Sequence, residues 1–332
     1  MNNTRRNLYG LLLALMVVGL VGMAWYLFAK AARTGLKERE AGNLIHAIQN
    51  GTAADVERVL AQGVPVNGKA FNGMTPLTEA AATGKVPIVK LLIAKGADVN
   101  AADGAGDTPL MEAAMFGKSE VIPLLLEHGA DPMRKDRSSY TAVSYAMNPV
   151  NGGDGAAVRM LIEKTGQTDA RDNQGGSVLM WAIQHGDRKL IDLLLAKKAD
   201  VNVKDVAGKN ALLVALESGH PDVATRLLAE TKDVNVKGQN GATTLMWAVA
   251  RGDAALVKGL LDRGATVDAQ DDAGETALIG ATKENKAEIV ALLLAHGADV
   301  SLTDIQGLTA LKWAIERRNT SIAQRLRQAG AK

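Results

Sequence analysis

The sequence predicts an all-α solenoid of helix-turn-helix units joined by hairpin-like connectors, with one transmembrane helix ahead of it. Three observations carry that expectation. A short pattern recurs at a nearly fixed interval: aligning on one polar position gives Thr75, Thr108, Thr141, Ser177, Asn210, Thr243, Thr276 and Thr309, separated by 33, 33, 36, 33, 33, 33 and 33 residues. Within each interval the apolar residues fall into two short runs, each closed in most copies by a glycine. Ahead of the repeats, the 22 residues from Leu8 to Ala29 carry no charge.

Each element has a local cause. Thr75 and Thr108 stand immediately before Pro76 and Pro109, the arrangement of an N-cap followed by a proline whose missing N–H costs nothing in the first turn. Nine residues after the anchor come Gly51, Gly84, Gly117, Gly186, Gly219 or Gly252, expected to stop a first short helix in left-handed backbone. Twenty-one residues after it, Gly63, Gly96, Gly129, Gly264, Gly297 and Gly330 are expected to stop a second. What remains is a polar, turn-rich connector such as Val99 to Asp107. Its many Asp residues, Asp271 and Asp272 among them, read as turn formers, because no loop alternates carboxylates and closes on Glu as a calcium loop does.

The stretch from Gly73 to Asn100, GMTPLTEAAATGKVPIVKLLIAKGADVN, resembles the ankyrin repeat. The resemblance extends over residues 42–332, as about nine repeats, and implies a single elongated repeat domain. Residues 1–7 then form a basic N-tail, 8–29 a transmembrane signal anchor and 30–41 a charged juxtamembrane linker. The first copy lacks the Thr-Pro-Leu start and the last is polar at Arg317, Arg318, Gln324, Arg325, Arg327 and Gln328, as terminal units facing solvent should be. The three extra residues fall in Asn148 to Gly155, the turn between two helices of one unit. The copy at Asn210 lacks its closing glycine, so its second helix should end early.

The apolar run of residues 8–29 would be about 33 Å long as a helix, enough to cross a bilayer. Tyr9 at one end and Trp25, Tyr26 and Phe28 at the other match interfacial anchors. A cleaved signal peptide is the alternative, since Ala29-Lys30-Ala31 has the small-x-small form, but the run exceeds an ordinary signal core of about 7–15 residues. Orientation is balanced between two arguments. Lys30, Arg33, Lys37 and Arg39 follow the span, which favours the repeats inside; a short basic tail before an apolar run is how export begins, and long domains translocate regardless of charge. The expectation is an extracytoplasmic repeat domain, periplasmic if the source is bacterial. With no Cys a lipid anchor on that residue is excluded, and the net charge of +2 over 332 residues suggests no nucleic-acid partner.

Catalytic and cofactor chemistry find little footing. Gly117-Lys118-Ser119 imitates the end of a phosphate loop, but Glu112 stands where its first glycine is needed. Gly104-Ala105-Gly106 has Pro109 at the third glycine of a dinucleotide fingerprint. His128 and His296 precede helix-ending glycines, where a partly cationic ring suits the helix dipole; His46, His185 and His220 lie in different units without metal-ligand spacing. No nucleophile, base and orienter converge, so the expectation is a protein that is not an enzyme, without cofactor or metal.

What remains is surface. The resemblance implies that first helices and connector tips line one concave groove that binds another protein. Candidate partner-binding residues are Phe71, Met74, Phe116, Tyr140, Tyr145, Trp181, Trp247 and Trp313, with Val206, Ile305 and Leu308 as further apolar tips. Trp181, Trp247 and Trp313 are spaced by 66 and 66 residues and share one slot, four after the anchor. Leu179 and Ile183 face the core, so Trp181, about 200° around the helix from Leu179, should face the groove. Glu79, Glu112 and Tyr145 hold the slot earlier, with Val214 and Gly280 between the indoles. The expected function is a membrane-anchored interaction scaffold. The alternative is an accessory or inhibitor that modulates a partner enzyme.

Overall fold

The computed structural model describes residue 30 and residues 38–70, 72–148 and 155–332. The expected membrane span at 8–29, the Phe71 tip and most of the inserted turn, 149–154, lie outside the described residues. Among the described residues no helix is long and apolar enough to cross a membrane. Among the described residues regular structure is helical, with extended pairing limited to isolated bridges such as Thr303 with Thr309.

The chain divides into two compact units, residues 1–157 and 158–332. The first holds α1 (38–50), α2 (Ala53–Ala61), α3 (Pro76–Thr83), α4 (Val86–Ala94), α5 (Pro109–Met115), α6 (Val121–Glu127) and α7 (Ala142–Met147). The helix α8 (Gly155–Thr165) spans the boundary. The second holds α9 (Val178–Gln184), α10 (Arg188–Ala196), α11 (Ala211–Glu217), α12 (Pro221–Leu228), α13 (Thr244–Arg251), α14 (Ala254–Asp262), α15 (Ala277–Lys283), α16 (Ala287–Ala295), α17 (Ala310–Glu316) and α18 (Thr320–Gln328).

First helices pack on first helices: α3 on α5 and α5 on α7 in one unit, and α9, α11, α13, α15 and α17 in series in the other. Small residues permit this. Ala80, Ala81, Ala113 and Ala114 are buried where α3 meets α5. The second helices supply bulk through Ile88, Val89 and Leu92 of α4 and Ile289, Val290 and Leu293 of α16. Removing one such Leu to Ala costs about 2–5 kcal/mol.

The caps form as the sequence implies. Thr75 and Thr108 accept from the backbone N–H of Thr78 and Met111 at 3.2 and 3.3 Å, with Pro76 and Pro109 opening the helices. Asn210 preserves the cap, accepting from Leu213 N–H at 3.1 Å. Its second helix, α12, stops at Leu228, and the Thr231 hydroxyl bonds the Leu227 carbonyl in place of the missing glycine turn.

Two glycine expectations change. Gly51 is not in left-handed backbone; a Cβ there would lie 2.6 Å from the Ala47 carbonyl oxygen, so close approach explains it. In three units a non-glycine takes the left-handed stop: Lys198 (φ 57), Asn285 (φ 57) and Arg318 (φ 59).

Successive units are also tied by an asparagine whose role spacing alone did not expose. Asn100 donates to the Gly129 carbonyl (2.9 Å) and accepts from Asp131 N–H (2.8 Å). Asn67, Asn202 and Asn235 repeat this clamp one unit along.

Candidate functional site

Six of the eight connector tips are built by an aspartate five residues before the anchor. Asp271 Oδ1 accepts from the N–H groups of Ala273 and Glu275, and Asp271 N–H returns to the Glu275 carbonyl. Asp136, Asp172, Asp205 and Asp304 do the same. These carboxylates are therefore turn formers, as their sequence context implied. Tips are also tied to one another, since Val206 N–H donates to the Gln174 carbonyl (2.9 Å) and Ile305 N–H to that of Ala273 (3.0 Å). With their backbones pinned, Val206 and Ile305 hold their side chains 77 % exposed. Met74, Tyr140 and Leu308, at the residue before the anchor, are half-buried, as is Phe116 at the end of α5.

Four residues past the anchor, the slot that carries the aromatic residues behaves differently from unit to unit. Trp313 and Tyr145 are half-buried and each is fastened to the aspartate nine residues before it. Trp313 Nε1 donates to Asp304 Oδ2 at 2.7 Å, and the Tyr145 hydroxyl donates to Asp136 Oδ2 at 2.6 Å. Burial works against ionisation of Asp304, but the donors Leu308, Trp313 and Gln306 with Lys283 outweigh it and hold its carboxyl below the usual range. Burial, then the bonds to Asp136 and Asp107, push the Tyr145 hydroxyl well above its ordinary pKa. Lys283 lies 4.5 Å from the centre of the Trp313 ring, and Arg251 sits over Trp247 at 5.7 Å.

The expected groove-facing exposure of Trp181 is corrected. It is only 4 % exposed and lies against His185, ring centres 3.9 Å apart. A position half a turn from the core side gains no exposure when the next first helix, α11, packs on α9 and a neighbouring ring lies flat on the indole. Trp247 keeps partial exposure, yet its Nε1 is buried with no hydrogen-bond partner, because Gly238 stands where six of the eight repeats place an aspartate. At Gly280 the slot is empty: a Cβ would meet nothing within 4 Å. A cavity of about 120 Å³ opens there, walled by Met246, Ala250 and Ala277 and rimmed by Glu275 and Glu284.

In the repeats anchored at Thr75 and Thr108 the same slot holds acids. Glu79 and Glu112 are each 7 % exposed. One carboxylate oxygen each from Asp103, Asp107 and Glu112 lie within 4.8 Å of one another. Burial first, then the charges of Asp107, Asp103 and Glu79, push Glu112 up to about 7, and burial likewise raises Asp107. This convergence was missed because the residues stand at different places in the pattern, on either side of a turn. The histidines take local roles, with Nδ1 of His128 and His296 each 2.8 Å from the carbonyl four residues before it.

A comparison with curated protein sequences gave no match. The family model described as ankyrin repeats (3 copies) matches residues 44–136, 135–205, 205–271 and 245–332. With the repeating helix pairs and pinned turns just described, that coverage shows that the chain belongs to the ankyrin-repeat family.

Proposed function

We propose that this protein is a membrane-anchored, non-catalytic scaffold whose repeats bind another protein through the face formed by the first helices and connector tips. One observation carries the reading. Val206 and Ile305, on equivalent tips of the second unit, are 77 % exposed, and the hydrogen bonds that fix those turns come from backbone groups and from the Asp205 and Asp304 carboxylates, not from the side chains at 206 and 305. An apolar side chain adds nothing to such a turn, and paired with the half-buried Trp247 and Trp313 and the cavity at Gly280 it supplies the anchors on which protein interfaces rely. Membership of the ankyrin-repeat family supports an interaction role. The uncharged run of residues 8–29 supports attachment to a bilayer, and the short basic tail before it supports repeats placed outside the cytoplasm.

The test is site-specific photo-crosslinking of the full chain in its native membrane. Probes at Val206 and Ile305 should capture the same discrete partner, and probes on second helices, at Lys189 and Glu288, should not. Equal capture from both faces, or from second helices alone, rejects the assignment of the face. Fusion of a reporter after Lys332 that works only outside the cytoplasm should be active; an active cytoplasm-only reporter rejects the topology.

A further inference from the structure

We propose that Asp103, Asp107 and Glu112 form a binding site for a hard divalent cation of calcium type, between the connector turn and α5 of the first unit. The proposal is independent of the partner-binding reading.

Geometry comes first. Three carboxylate oxygens within 4.8 Å of one another are close enough to converge on one ion with small side-chain adjustments, calcium–oxygen distances being roughly 2.3–2.6 Å. The donor set is oxygen only, which selects Ca²⁺ or Mn²⁺ over zinc or copper. Mg²⁺ gives up its water reluctantly and demands near-octahedral ligands, so a largely buried, irregular trio suits it less.

Two further observations point to a ligand. Asp107 is 7 % exposed, and its Oδ1 is buried with no hydrogen-bond partner. A buried carboxylate oxygen left without a donor is costly, of a kind folded proteins seldom leave standing. The second lies in how another unit treats the same position. Glu275, like Asp107, precedes its anchor, and it is paired with Lys283, eight residues later on α15. Lys209 and Glu217 make the same pairing with the charges exchanged, at 2.7 Å. The residue eight after Asp107 is Met115. The repeat that carries Asp103, Asp107 and Glu112 thus lacks the internal cation that two other repeats supply at this place. Among the described residues no ion pair reaches Glu79, Asp103, Asp107 or Glu112. Asp103 Oδ1 is already fixed by the N–H groups of Ala105, Gly106 and Asp107, so the turn holds that ligand in place before any ion arrives.

The test uses the full chain, stripped with chelator and titrated with CaCl₂, followed by calorimetry and by the thermal midpoint at pH 7.5. Calcium should bind and raise the midpoint, and MgCl₂ at equal concentration should do less. Glu112→Gln, which keeps the shape and removes the charge, should weaken binding at least tenfold. Met115→Lys should abolish it while raising the midpoint of the metal-free protein, because it supplies the missing cation internally. Absence of calcium binding up to about 1 mM, the weak limit of extracellular calcium modules, overturns the proposal. So does a calcium response that both variants retain, which would place the ion elsewhere. A response to methylamine in place of calcium overturns it as well, and makes the acids a socket for a partner's lysine.

Discussion

Trp313 Nε1 bonds Asp304 Oδ2 at 2.7 Å, and the bond joins the first helix of a unit to the turn that precedes it. Tyr145 and Asp136 repeat it at 2.6 Å. Trp247 occupies the equivalent slot opposite Gly238 and has no acceptor. The pair predicts opposite outcomes for one substitution. Trp313→Phe should cost on the order of 1–2 kcal/mol, since it removes a hydrogen bond to a charged group and takes a donor from a buried aspartate. Trp247→Phe should be close to neutral, because the donor it removes is unsatisfied. Urea unfolding of the two variants checks this, and equal costs would mean that packing alone decides the slot.

Glu112 makes stability depend on pH. Its folded pKa of about 7 lies above the ordinary 4.5, so the folded state holds the proton more tightly than the unfolded chain. That contribution is complete below about pH 4.5 and is lost as pH rises through 7. In chelator, where no divalent ion compensates, stability should fall by on the order of 2 kcal/mol between pH 5 and pH 8. Glu112→Gln should flatten the slope. An unchanged slope in that variant would assign it to the neighbouring Asp107, whose carboxyl is also pushed up by burial.

The array itself was legible because it rests on local rules. Thr75, Thr108 and their prolines fix helix starts by hydrogen-bond geometry within three residues, and the glycines mark left-handed stops. The left-handed Lys198, Asn285 and Arg318 were not legible, since packing of the unit imposes that backbone on residues that do not advertise it. The site was less legible for a related reason. Angular position on one helix sets Trp181 apart from Leu179 but says nothing of His185 lying flat against the indole, or of the burial that leaves Trp181 4 % exposed. The acids at 103, 107 and 112 meet only because a turn folds the connector back beside α5.

The asparagine clamp gives a third prediction. Asn235 donates to the Gly264 carbonyl at 3.0 Å and accepts from Thr266 N–H at 2.8 Å, tying two successive units. Asn235→Ala removes both bonds and should cost about 1–2 kcal/mol. Asn235→Asp keeps the acceptor and loses the donor, so it should recover part of the loss, as Asp268 does naturally by accepting from Asp299 N–H at 2.8 Å. Hydrogen exchange should quicken at Thr266 first. Uniform quickening across the second unit would show that the clamp supports global rather than local stability.

Gly280 gives the prediction that joins stability to binding. A glycine inside a helix costs roughly 0.5–1 kcal/mol relative to alanine and is retained where a Cβ would collide or where space is needed. Collision does not apply, because a Cβ at Gly280 meets nothing within 4 Å. Gly280→Ala should therefore raise stability by about 0.5–1 kcal/mol. The space is the cavity of about 120 Å³ against Met246, Ala250 and Ala277. Gly280→Leu fills it from within and should leave the fold at least as stable, while abolishing the partner crosslink from Ile305 if a partner side chain enters there. Three outcomes separate the ideas. Loss of the crosslink with stability intact identifies the cavity as the anchor. A retained crosslink with stability intact moves the anchor to the exposed tips at Val206 and Ile305. A destabilised Gly280→Ala shows that the space around this helix is already filled, and both arguments for the cavity then fail together.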